Sequence, residues 1–408
     1  MRLRLLLAGL AGAALFAAVA SQAQQPPAPP KDPVQALQDR IASNGLRLAP
    51  GPSGYLSEVL RALGVPVDSQ ILVFSKTSLQ FDRISPKNPR ALYFNDDTVV
   101  GFVRGGELIE ITTSGADGRL AFYTLQSPAP GAPLQVNREG PVCVACHGAA
   151  DAWAPGLLVA NVMPMEDGTP LFIDATRLFH ITDATTPFEE RWGGWYVSGR
   201  HGGMRHNGNV QISDQSAMGA EPIGGHNITD LSERFDTAAY LAPTSDIVAL
   251  MTFEHQLGIS NRIWRLNAQA RGLAGEGGRS ASAADVDATV EELVGYLLGV
   301  GEARLPAPVT GVSSFTQSFA ARGPRDARGR SLRDFDLQTR LFRYPASYMV
   351  YSRAFDSLPP ALRDRIYRRM AEALSGADAS GRFAHIAPEA GRAALEILRA
   401  TKPGFPAA

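Results

Sequence analysis

The sequence predicts an α+β protein: an antiparallel, β-rich N-terminal module, a loop-rich middle section and a helical C-terminal part. Three observations carry that prediction. Between residues 71 and 125 apolar side chains recur with period two, and turn signals separate the runs. From residue 245 onward the spacing becomes that of amphipathic helices. Between them, over 136–244, Gly, Pro, Trp and His punctuate the chain and neither period holds.

Taken in order, Arg2 and Arg4 precede an apolar run over 5–20, with small residues at Ala18, Ala20, Ser21 and Ala23. This is the pattern of a secretory signal peptide over 1–23. The run of about 16 residues is short for a bilayer span, which takes about 20. The mature chain is therefore expected in a periplasm or outside the cell, with no membrane span after the signal is removed. Residues 24–34 form a Pro-rich, extended tether. Helical spacing follows over 34–42 and 56–63, with the break Gly51-Pro52-Ser53-Gly54 between them. Short strands are predicted at 71–74, 91–94, 98–103, 107–112 and 121–125, giving a sheet of four or five strands. A hairpin is expected from 157–163 and 170–173 about Glu166-Asp167-Gly168. The stretch 188–209 is too Gly-rich for a regular helix and reads as a structured loop. Helices are predicted over 246–267, capped by Ser245, then over 283–299, 362–374 and 388–401, the last opening on Pro388.

Composition bounds the rest. The chain is 45% hydrophobic and 19% charged, a globular balance. Without the signal, its formal charge moves from −1 to −3, which gives no basis for binding nucleic acid or an acidic membrane surface. Some 385 mature residues suggest two or three domains at about 150 residues each.

The chain has two cysteines, and both fall in Cys143-Val144-Ala145-Cys146-His147. Cys-x-x-Cys-His is the attachment pattern of a c-type haem. Two thiols three positions apart reach the two vinyl groups of one porphyrin, and the adjacent imidazole turns under the ring to the iron. A zinc site would need further Cys or His ligands at tight spacing, and no second Cys pair exists. A thioredoxin-type pair usually follows an aromatic residue, whereas Gly140-Pro141-Val142 stands here. The expected cofactor is one covalent haem c, bound by Cys143 and Cys146 with His147 on the iron. The middle section 136–244 is then the haem-binding region, between a 35–135 module and a 245–408 helical region.

The sixth iron ligand decides what such a haem does. His206 is the first candidate and His201 the second, because both lie in the Gly-rich loop near Trp192, Trp195 and Tyr196, with Trp153 closer to the motif. Met204, Met163 and Met165 are the thioether alternatives. His255 shares a predicted helical face with Val248, Met251 and Ile259, the usual setting of a core histidine with one hydrogen bond.

With Gly148, the motif resembles the c-type cytochromes. That resemblance covers about six residues and implies covalent haem at Cys143 and Cys146 with His147 axial. It does not extend to the rest of the chain, which lacks the layout of a compact, stand-alone cytochrome c. The single motif also departs from the two of the di-haem peroxidases. The resulting expectation is a periplasmic or secreted mono-haem cytochrome that passes electrons to a periplasmic redox partner protein. The alternative is a haem enzyme acting on peroxide or a nitrogen oxide, with Arg200, Arg205 and His201 as distal groups. Gas sensing ranks third, since no output domain is evident.

Overall fold

A computed structural model describes residues 31–43, 45–49, 51–115, 117–126, 134–148, 154–171, 179–213, 226–273 and 279–407. The expected signal peptide, most of the tether and Trp153 lie outside these residues. Lys31–Ala408 groups into one compact unit.

Two helices open the fold. α1 (Pro33–Ala42) starts inside the expected tether, because Asp32 caps it by accepting from the Val34 and Gln35 amides while Gln35 reaches back to Asp32. In α2 (Leu56–Leu63), Leu56, Val59, Leu60 and Leu63 fall on one buried stripe, and Gly64 ends the helix at φ 63°, the left-handed conformation that glycine adopts without cost.

Six strands follow: β1 (Ile71–Val73), β2 (Arg90–Phe94), β3 (Thr98–Phe102), β4 (Ile109–Ser114), β5 (Leu120–Gln126) and β6 (Gln135–Glu139). A further strand, β9 (Trp195–Tyr196), joins the far edge, so the sheet runs β6-β5-β4-β3-β2-β1-β9 with all pairs antiparallel. The five strands read from the sequence are its centre. The polar strand β6 and the two-residue β9 extend it to seven. Period two divides its faces. Leu72, Ala91, Tyr93, Val100, Ile111 and Tyr123 pack with α1 and α2, while Ile71, Val73, Leu92, Phe94 and Val99 pack into the larger core on the other side.

That larger core is built on α4 (Ile247–Ala270), which is buried on most of its circumference. Its cap is Asp246, one residue later than the sequence suggested. One Asp246 carboxylate oxygen accepts from the Val248 and Ala249 amides; the other accepts from Val312 and Ser313. Ser245 instead stitches the sheet, taking the Leu72 amide and donating to the Tyr196 carbonyl. Phe253 meets Phe94 with ring centroids 5.0 Å apart, and Gln256 donates to the Asn95 carbonyl at 2.7 Å. Around α4 stand α5 (Ala283–Leu297), α6 (Phe315–Ala321), α7 (Arg353–Asp356), α8 (Pro360–Ser375) and α9 (Pro388–Thr401).

Between sheet and helices lie α3 (Pro141–His147) and the pair β7 (Val159–Val162) and β8 (Phe179–Thr182). The predicted hairpin turn forms about Glu166-Asp167-Gly168: Pro164 bridges Pro170, and the Leu171 amide donates to the Met163 carbonyl at 2.9 Å. Residues 172–173 of its second arm lie outside the described residues, and β7 pairs with the later β8. The class is α+β, with the sheet in the N-terminal half, most helices C-terminal, and no closed barrel. No helix among the described residues is long and apolar enough to cross a membrane.

Candidate haem-attachment site

Gly140 ends the run out of β6, and Pro141 at the first helical position opens α3. The helix lasts less than two full turns, which is what the motif needs. Positions i, i+3 and i+4 lie on one helical face, so Cys143, Cys146 and His147 point the same way. Both cysteines are free thiols; Cys143 is half-buried and Cys146 exposed. Val142 and Val144 are exposed beside them, at 59% and 41%, an uncovered apolar rim around the thiols. Inward, Cys143 packs on Leu120, Phe122, Ala154, Trp264 and Ala268, contributed by β5, α4 and the segment after the motif.

His147 is held from two sides. Its ring lies 5.0 Å from that of Phe122, and Gly156 clamps it twice, donating its amide to the His147 carbonyl at 3.0 Å and accepting from Nδ1 at 2.8 Å. A carbonyl only accepts, so Nδ1 carries the ring proton and Nε2 keeps its lone pair. Burial holds the imidazole below its ordinary pKa range, against the Gly156 hydrogen bond, so the neutral form persists. A neutral imidazole with one N–H on a backbone carbonyl and a lone pair on the other nitrogen is the arrangement of a metal-bound histidine. The Gly156 loop is itself fastened to α4, where Asn261 exchanges two hydrogen bonds with the Leu157 backbone at 3.0 and 2.8 Å.

The alternatives to haem find little support in the same geometry. Burial pushes the Cys143 thiol up to about 11, with Glu139 and Glu110 adding to it. A redox-active thiol of the thioredoxin type needs the opposite shift. Among the described residues no three His, Cys, Asp or Glu side chains converge to hold a metal ion.

His206 and His201 lie elsewhere. Their rings sit 4.9 Å apart, and His206 is 5.2 Å from Trp192. Trp192 lies against Glu254, about two turns of α4 away from Asn261, which anchors the His147 loop. The Gly208 amide donates to His206 Nδ1 at 3.0 Å, which puts the ring proton on Nε2 and leaves no lone pair there for iron. His201 donates to the His226 carbonyl at 3.1 Å. The structure thus does not bring His206 or His201 to His147. The glycines of this loop serve close packing instead: a Cβ on Gly193 would come 2.2 Å from the Val162 carbonyl, and one on Gly208 2.5 Å from Val197. Met204 is buried in the main core, while Met163 and Met165 are half-buried about the bridge. Trp192 and Trp195 are core residues; Trp195 donates to the Ala160 carbonyl at 3.0 Å.

Two sets of residues had no sequence signal. Gly156 and Asn261 position His147 through backbone contacts that only the fold creates. The other set is a buried ion pair under β8: Glu254 accepts from Arg191 at 3.0 Å and from Thr182 at 2.7 Å, and Arg191 also donates to the Ala184 and Thr186 carbonyls. Burial pushes the Glu254 carboxyl up and Arg191 opposes it. No protein-family model, curated protein or solved structure matches the chain.

Proposed function

We propose that this chain is a mono-haem c-type cytochrome of a periplasm or the cell exterior, and that it transfers electrons to a redox partner protein. The observation that carries the reading is the set Cys143, Cys146 and His147 on one face of α3, with the His147 tautomer fixed by the Gly156 carbonyl. Such a haem supplies a one-electron iron couple. The residues of the chain do the rest. Cys143 and Cys146 would hold the haem through thioether bonds, each thiol adding across a vinyl group with its hydrogen passing to the other carbon, so no oxidant would be consumed. His147 Nε2 would be the iron ligand, with Gly156 and Asn261 holding the ring in place. Phe122, Leu120 and Trp264 offer apolar surface on the inner side of the motif, and Val142 and Val144 leave an exposed apolar face beside it.

Two measurements on the protein as purified test this. A pyridine haemochrome should report one thioether-linked haem per chain; its absence defeats the proposal. Paramagnetic resonance then separates the two uses of that haem. A low-spin iron unchanged by cyanide supports the carrier, and a high-spin iron that binds cyanide replaces it with a haem enzyme.

A further inference from the structure

On the far side of α4 from the sheet, two cavities share one wall. The outer is a surface cleft of about 220 Å³ lined by the loop 299–304, by Arg340, and by Arg382 and His385 from the segment before α9. The inner is a space of about 10 Å³, room for one water-sized group, that shares Gly299, Val300 and Glu302 with the cleft and ends on His255 and Tyr296. The two spaces adjoin at these shared residues, which line up from the cleft toward the buried His255.

The groups lining these spaces are incompletely satisfied. The Arg340 guanidinium reaches Glu302 at 3.5 Å, but its Nε is buried without a partner among the described residues. His255 Nδ1 is likewise buried without one. A buried polar atom of this kind is destabilising unless something meets it. His255 Nε2 lies 2.8 Å from the Ser347 hydroxyl, which both donates and accepts, so nothing in the protein fixes the His255 tautomer. An acceptor in the inner cavity selects the Nδ1–H form, with Ser347 turning its O–H to Nε2. Arg304, Arg340 and Arg382 line the cleft with one carboxylate, Glu302, and Arg382 also donates to the Glu291 carbonyl at 3.2 Å, so basic groups outnumber acidic ones there. Burial pushes the Glu302 carboxyl up, with Arg340 the main opposing influence. Gly299 and Gly301 hold φ of 74° and 77°, letting the loop turn tightly around the space.

We propose that the joined cavities bind a small oxyanion, a phosphate or short carboxylate, held by Arg340 and Arg304 at the cleft and by His255 at its inner end. The site is independent of the haem reading and lies outside the residues assigned to it. Charge-assisted hydrogen bonds of this kind are worth about 1.5–3 kcal/mol, so loss of one arginine weakens binding about tenfold or more.

Calorimetric titration of the protein as purified with inorganic phosphate and, separately, with acetate tests this. Saturable binding of at least one is expected, weakened about tenfold or more in Arg340→Gln and severalfold in the exposed Arg304→Gln. The second variant decides the matter should the first fail to fold. The relative strength of the two titrations distinguishes phosphate from carboxylate as the preferred ligand. Saturation should also shift the His255 ring nitrogen resonances. Absence of binding by both anions, binding unchanged in Arg304→Gln, or binding that leaves the His255 resonances unmoved overturns the proposal.

Discussion

His147 and His255 are both attached to the same long helix, one through the Asn261 anchor and the other as part of it, and they differ in what holds them. His147 is tied to a carbonyl, which fixes its proton on Nδ1, and it stands on a short helix beside exposed valines. His255 is tied to a hydroxyl, which fixes nothing, and it is walled by Phe342, Tyr296 and Tyr348. A histidine becomes ready for iron through a partner that only accepts plus an approach for the metal. Burial among aromatics does not provide the first.

The sharpest way to break the comparison is at the thiols. Replacing Cys143 and Cys146 together with Ala should abolish covalent haem, read as loss of the pyridine haemochrome signal, while the fold persists by circular dichroism. The next effect belongs to the buried side of the helix. Arg191→Met leaves Glu254 without its cation and should cost about 3–5 kcal/mol in urea unfolding. Glu254 escapes part of that penalty by taking a proton, so the loss should be greater at pH 8 than at pH 5.

A smaller effect concerns pH. Burial, with Arg340 adding, lowers the His255 pKa to about 3. In the unfolded chain the group titrates near 6.5, so below that value the unfolded state binds a proton that the folded state refuses. Stability therefore falls as pH drops from about 6.5 toward 3, by about 1.4 kcal/mol per unit from this group. His255→Gln keeps a partner for Ser347 and should flatten that slope; an equally steep acid limb would show that other groups govern it. The smallest effect is at His206. His206→Gln should leave the absorption and paramagnetic spectra of the haem protein unchanged, and a change in spin state would restore His206 as an iron ligand.

Much of the fold was legible because local rules agreed with tertiary ones. The α2 stripe, the five central strands and the start of α9 at Pro388 follow from period and punctuation. Strand β6 was missed because its outward side chains are polar and carry no apolar alternation. Strand β9 was missed because two residues are too few to show a period. Ser245 was misread because a serine before a helix looks the same whether it caps that helix or bridges two strands. At the candidate site, Cys143, Cys146 and His147 were picked out by their sequence pattern, and the structure sets them on one short helix. The tryptophan and glycine cluster drew attention to His206, yet its density reflects loop packing on β7 and the Arg191–Glu254 pair. The arginine-lined cleft gave no signal, since Arg304, Arg340 and Arg382 come together only in three dimensions.

Helix α4 also acts as a ruler. From His255 to Asn261 and Trp264 its rise spans about 9–14 Å, along a rod buried on most sides and pinned at its N-terminal end by Asp246. In the proposed reading, an occupant of the cleft and a haem on α3 would be tied to points this far apart along one rod, the first through His255 and the second through Asn261.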